Sequence, residues 1–165
     1  MSAIQLEIVT PDGPKLSESV DAFTAPSVDG QFGVLPGHRP LLAALKTGLV
    51  SYEKGGEEVT VAVGSGFVEV NEDKAVLLTD RFTYKQDIDA VRVRLDLKEA
   101  DKAIAEFTGD PTSPEFAAMV AKERWAAAQL ELYGDPPPPT ITLLNELQAG
   151  ATENYGGRPD DSENK

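Results

Sequence analysis

Between Gly30 and Gly48 short apolar runs are interrupted by glycines and prolines at offsets that a helix cannot accept. Phe32, Val34 and Leu35 are strand-like, whereas Gly30, Gly33, Pro36, Gly37 and Pro40 demand turns or close backbone approach. A turn-rich β-domain follows from this stretch alone. The same style of sequence extends from Ile4 to about Tyr84, where Ile4 to Val9, Val20 to Ala25, Phe32 to Leu35, Leu49 to Glu53, Val59 to Val63 and Phe67 to Val70 are strand candidates. Ala75 to Thr79 is a seventh. Lys54-Gly55-Gly56-Glu57 is a hairpin signal, because consecutive glycines accept the positive φ of a tight reversal, and Asn71-Glu72-Asp73 is a second reversal. Many short strands between turn clusters indicate an all-β sandwich or barrel.

At Gln86 the period changes. Asp87 is placed as an N-cap, and Val93, Leu97, Ala100, Ile104 and Phe107 then recur at three- and four-residue spacing. Ile88, Val91 and Leu95 form a shorter stripe. The opposite face pairs Asp89 with Arg92, Arg92 with Asp96 and Lys102 with Glu106, contacts worth only about 0.2–0.5 kcal/mol each on an exposed helix. Thr108-Gly109-Asp110-Pro111 should stop this helix near Phe107. A second should start with Ser113 as N-cap and Pro114 in the first turn, run to Tyr133, and end at Gly134. So short a link makes the two helices antiparallel, a hairpin over residues 87–133.

Beyond Gly134, Pro136 to Pro139 favour a stiff extended spacer. Ile141, Leu143, Leu144 and Leu147 could dock on the folded part, and the acidic, polar sequence from Gly150 onward is expected to be disordered. Three parts result: a β-domain over residues 1–84, a two-helix hairpin over 85–134 and a flexible Pro-rich, acidic tail over 135–165.

With 28 acidic and 15 basic residues the formal charge is −13, which repels nucleic-acid phosphates and anionic headgroups and makes nucleic acid an unsuitable partner. The absence of cysteine rules out disulfides and thiolate metal sites and suits a reducing compartment. Met1 leads directly into the alternation Ile4-Gln5-Leu6-Glu7-Ile8 and no run of about 18 apolar residues occurs, so neither export nor a membrane span is expected.

Catalysis finds little support. His38 is the only histidine, and there is no phosphate-binding Gly-x-x-x-x-Gly-Lys loop, no Gly-x-Ser-x-Gly elbow and no histidine cluster for a metal. A solitary histidine in a turn serves structure more often than chemistry, so no catalytic or metal-binding residue is assigned.

Phe32-Gly33-Val34-Leu35, then Pro36-Gly37-His38-Arg39-Pro40-Leu41, then Leu45-Lys46-Thr47-Gly48 resembles the epsilon subunit of bacterial F-type ATP synthases. The resemblance covers about residues 4–133, and the order of β-domain then helical hairpin is also that family's. It implies an α+β, mainly β fold: an N-terminal β-sandwich followed by a C-terminal antiparallel two-helix hairpin. It implies a non-catalytic central-stalk (rotor) subunit of the proton-translocating enzyme, coupling ring rotation to ATP synthesis. The implied partners are the gamma subunit and the c-ring through the sandwich, and the catalytic alpha/beta hexamer through the hairpin. The implied place is the cytoplasmic side of a bacterial inner membrane, peripherally bound.

Carried over residue by residue, Gln31 and the loop Pro36, Gly37, His38 and Arg39 fall on the ring side. Ile88-Asp89-Ala90-Val91-Arg92-Val93 resembles the Ile/Leu-Asp-x-x-Arg-Ala element with which some bacterial epsilon subunits bind ATP, so Ile88, Asp89 and Arg92 carry over as possible nucleotide-binding or regulatory residues. Val93 departs from the small alanine, and the second helix adds only Lys122 and Arg124, so ATP binding is expected to be weak at most and no cofactor is assigned. In the family the hairpin can also leave the sandwich and block ATP hydrolysis, helped by basic side chains. Here residues 85–134 hold seven basic and ten acidic residues, which supports that role poorly and leaves it to Lys122 and Arg124. The alternatives are a free β-sandwich adaptor whose hairpin captures a partner helix, and a small hydrolase acting through His38.

Overall fold

In the alternating segment near the N-terminus every second side chain is buried: Ile4, Leu6 and Ile8 of β1 (Ile4–Thr10) point into the core while Gln5, Glu7 and Val9 lie between core and solvent. The structure, a computed structural model, describes residues 2–136 together with Thr140, Thr142, Asn145 and Glu146. Pro137 to Pro139, the docking candidates Ile141, Leu143, Leu144 and Leu147, and the acidic stretch from Gly150 lie outside the described residues.

Nine further strands follow: β2 (Gly13–Val20), β3 (Ala22–Ser27), β4 (Gly30–Val34), β5 (Leu41–Leu45), β6 (Gly48–Lys54), β7 (Glu57–Val63), β8 (Gly66–Asn71), β9 (Lys74–Thr79) and β10 (Phe82–Tyr84). They hydrogen-bond in the order β10-β7-β6-β3-β5-β8-β9-β1-β2, with β4 beside β3, and fold over one core as a β-sandwich. Every pairing is antiparallel except that of β1 with β9. Phe23, Ile4, Leu6, Ile8 and Leu77 are the largest fully buried apolar side chains of that core, each contributing about 1.5–3 kcal/mol relative to exposure.

Both expected reversals form. Gly55 and Gly56 have φ of 60° and 82° between Lys54 and Glu57, and Glu72 takes φ of 54° between Asn71 and Lys74. Gly66, which the sequence does not single out, is a point of close approach: a Cβ there would lie 1.8 Å from the Leu78 carbonyl oxygen. The run Val20 to Ala25 is two strands, because Val20 ends β2 and Ala22 begins β3. Leu35 falls outside β4 and is exposed.

The first helix departs from expectation at its start and stops near Phe107 as expected. Lys85–Asp87 form one 3₁₀ turn, so the N-cap moves from Asp87 to Asp89, whose Oδ1 accepts the Arg92 amide at 3.2 Å and starts α1 (Ala90–Glu106). At the other end Phe107 turns extended and leaves the helix to stack on Phe116, with ring centroids 5.1 Å apart. Asp110 shapes the link by accepting the Thr112 amide at 2.8 Å and its hydroxyl at 2.7 Å, bonds that hold its carboxyl below the usual range.

The second helix, α2 (Pro114–Tyr133), forms as its sequence dictates. Ser113 Oγ accepts the Phe116 amide at 3.2 Å, and Gly134, at φ 97°, lets its own amide and that of Asp135 close on the Leu130 carbonyl at 3.1 and 3.0 Å. Val93 and Leu97 of α1 meet Ala126 and Leu130 of α2, with Ile88 and Ala127 packed beside them. Through α2 this hairpin rests on β6 and β7. No helix among the described residues is long and apolar enough to cross a membrane.

Candidate functional site

The residues carried over to the ring side flank opposite ends of β4. Gln31 is the second residue of β4, beside the β3–β4 turn, whereas Pro36 to Arg39 follow the other end of that strand. Five residues of extended chain put them up to about 17 Å apart. Gln31 is exposed and its Nε2 donates to Thr24 Oγ1 at 3.5 Å. Val28, at the tip of the same turn, is 67% exposed. Ser27 Oγ braces the turn by donating to the Gly30 carbonyl at 2.6 Å and accepting the Asp29 amide at 3.2 Å.

The Pro36 to Arg39 loop uses its own donors. The His38 amide bonds the Leu35 carbonyl at 3.1 Å, and the Gly37 amide reaches Asp73 Oδ1 in the β8–β9 turn at 3.3 Å. His38 Nδ1 lies 2.6 Å from the Arg39 carbonyl, which makes it the protonated ring nitrogen. The Gly37 and His38 amides are thus already bonded within the domain, and Pro36 has no amide hydrogen to offer. The loop is a brace between β4 and the β8–β9 turn.

Sequence reasoning missed an apolar patch on the outer face of the sandwich. Ala44 of β5 is opposite Phe67 of β8, and Phe67 is opposite Leu78 of β9. Leu42, two residues before Ala44, shares that face, and Leu42, Phe67 and Leu78 are 73%, 58% and 53% exposed. Leu42 sits in the uniformly apolar run Leu41 to Leu45, and Phe67 shares its strand face with Glu69, so an outward apolar patch could be recognised only with the register in hand.

Of the hairpin residues, Arg92 and Lys122 come together. They line a cavity of about 540 Å³ between α1, α2 and the link between β9 and β10, with Arg81, Asp96, Glu99 and Trp125. Arg92 Nε is already 3.1 Å from Asp96 Oδ1, and Arg81 Nε is 4.0 Å from Asp80 Oδ2. Asp89 is occupied as the cap of α1, and Ile88 packs against the hairpin core. Arg124 is absent from the cavity lining and pairs with Glu146. The cavity thus carries three cations and two carboxylates, a weak positive excess.

The other groove of the hairpin, about 290 Å³, is lined by Arg94, Leu97, Lys98, Asp101, Leu130 and Asp135 as well as Pro136. Asp101 is pushed above the usual carboxylate range, first by burial and then by the charge and hydrogen bonding of Glu123 on α2.

Residues 3–85 match the family model described as ATP synthase, Delta/Epsilon chain, beta-sandwich domain. An ATP synthase epsilon chain 2 from Syntrophotalea carbinolica is 40% identical over 131 residues, covering 79% of this chain and 94% of that relative. An ATP synthase epsilon chain from Magnetococcus marinus is 41% identical over 128 residues, 77% of this chain and 91% of its own length. Among solved structures, a chain of the Euglena gracilis mitochondrial ATP synthase OSCP/F1/c-ring assembly superposes with a TM-score of 0.60 at 25% identity, over 92% of this chain and 82% of its own. A chain of the Tetrahymena thermophila mitochondrial ATP synthase central stalk and c-ring shares the fold, with a TM-score of 0.53 at 14% identity over 79% and 96%.

Proposed function

This chain belongs to the ATP synthase delta/epsilon family, and on that premise we propose how its surfaces divide the work of a rotor subunit. It is a non-catalytic subunit of the central stalk, associated with other ATP synthase subunits and peripheral to the membrane complex. Its work is to couple ring rotation to ATP synthesis.

The observation that carries the assignment of surfaces is the exposed face of Leu42, Phe67 and Leu78. Adjacent outward apolar side chains on three neighbouring strands are unfavourable in water and favourable against a partner. We assign that face to the gamma subunit. The ring contact goes to the β3–β4 turn, where Val28 and Gln31 are exposed. The Pro36, Gly37, His38 and Arg39 loop supports the domain instead, since the Gly37 and His38 amides are already bonded. The hairpin is the element that would approach the catalytic hexamer, with Lys122 as its cation on the sandwich side and Arg124 on the other. The setting that fits is the cytoplasmic side of a bacterial inner membrane, held there by the ring and not by lipid contact.

Two variants of the full chain test this division in the reconstituted enzyme. Phe67→Ser should weaken co-purification with gamma by about tenfold or more, as loss of a buried aromatic anchor does. Gln31→Ala with Val28→Ser should leave gamma binding intact and reduce ATP-driven proton pumping more than ATP hydrolysis. Phe67→Ser chain that stays folded and fully gamma-bound would remove the gamma assignment. A chain that never joins gamma or the ring, even unmodified, would favour the free adaptor.

A further inference from the structure

Glu123 of α2 is completely buried, which a carboxylate tolerates only with partners. Its partners are unusual in origin. Thr142, beyond the end of the hairpin, donates its amide to Glu123 Oε1 at 3.3 Å and its hydroxyl to Glu123 Oε2. On the other side stands Asp101 of α1, with Oδ1 buried and no donor in reach among the described residues. Two facing carboxyl groups are satisfied together only when one proton lies between them, and the raised affinity of Asp101 for protons agrees with that.

Two ion pairs bracket this contact. Just past α2, Asp135 Oδ2 takes Arg94 Nη2 of α1 at 2.6 Å and Nε at 2.7 Å. Further on, Glu146 pairs with Arg124 of α2. Along α2 the contacts therefore step backwards, from the groove beside Leu130 to Glu123 and Arg124, as Asp135 gives way to Thr142 and Glu146.

We infer that the contacts of Asp135, Thr142 and Glu146 form a built-in strap that satisfies the buried Glu123 carboxylate where it faces Asp101 of α1 and so stabilises the closed pairing of α1 with α2. The exposed ion pairs fix its position and add little energy, because water competes for them. The Thr142 bonds carry the clamp, since removing them strands a buried carboxylate. The consequence for the enzyme rests on the hairpin reading proposed above: the strap opposes any hairpin opening that would bring it to the catalytic hexamer.

Hydrogen exchange on the full chain tests the strap. Thr142→Val removes the hydroxyl donor, and amides of α1 and α2 around Asp101 and Glu123 should exchange about tenfold faster, the effect of losing one bond to a buried charge. Thr142→Ser should restore wild-type exchange. The strands of the sandwich should keep their protection in every variant, which separates a released strap from a misfolded chain. Asp135→Asn combined with Glu146→Gln should accelerate the same amides by a smaller factor. Hairpin exchange within twofold of wild type in Thr142→Val would overturn the strap. In the assembled enzyme, Thr142→Val should change the rate of ATP hydrolysis. Faster exchange with an unchanged rate would support the strap and count against regulation by the hairpin.

Discussion

Asp101 and Glu123 show how a single pair of residues can set the pH response of an element. A carboxyl whose folded-state proton affinity is raised gives stability that is complete below its ordinary value of 3.8 and is lost as pH rises through the raised one. Burial, then Glu123, are the causes, and Lys98 of α1 and Asp135 beyond α2 line the same groove. The hairpin should therefore be better protected below pH 4 than at neutral pH. Asp101→Asn supplies a permanent donor to Glu123 without a titrating proton, so its hairpin exchange, corrected for intrinsic chemistry, should be flat over that range. A wild-type profile already flat, or an Asn variant that keeps the slope, would show that this pair does not share a proton.

At the scale of elements, most strands legible in the sequence had one face buried and the other wet, and β7, buried on both faces at Val61 to Val63, was legible from its β-branched run. β1 alternates along its whole length, and β6 and β9 bury Val50 with Tyr52 and Ala75 with Leu77 two residues apart. β2 was not legible, because only Leu16 and Val20 are buried in it and Pro14 argues against a strand; it is tolerated at the end of the sheet order, where one side needs no partner. β5 is the run Leu41-Leu42-Ala43-Ala44-Leu45, whose uniform apolarity has no period to read. Asp87 and Asp89 are equivalent as caps in sequence, and only the 3₁₀ turn decides between them. The charges of the hairpin cavity were half legible: Arg92 and Lys122 stand on helices, but Arg81 arrives from the link between β9 and β10, a juxtaposition that periodicity cannot supply. The two cores share no residue, since the sandwich cluster draws on β-strand side chains up to Tyr84 and the hairpin cluster begins at Ile88. A chain of residues 1–84 should accordingly unfold cooperatively in urea, with a lower midpoint because the surface of β6 and β7 beneath α2 is uncovered. A featureless trace would mean that the hairpin completes the sandwich core.

At the scale of the whole molecule, charge decides whether the hairpin cavity can serve as a nucleotide sensor. The chain carries −13, so the approach of a triphosphate is opposed at long range, and the cavity answers with only Arg81, Arg92 and Lys122 against Asp96 and Glu99. Arg92 must also surrender its 3.1 Å contact with Asp96 before it can turn to phosphate. We therefore propose weak binding, with a Kd of about 1 mM or higher for Mg-ATP, equivalent to roughly −4 kcal/mol or less. Salt distinguishes the two contributions. Ions screen the distant repulsion from the acidic surface over about 8–10 Å near physiological strength, whereas contacts inside the cavity are screened less. Affinity should then hold steady or improve as salt rises from low to physiological levels, the opposite of a site driven by its own cations. Isothermal titration of the full chain with Mg-ATP at the two salt concentrations measures both quantities. Micromolar binding abolished by Arg92→Ala or Arg81→Ala and weakened by salt would show that three local cations outweigh the net charge, and would make this hairpin a nucleotide sensor.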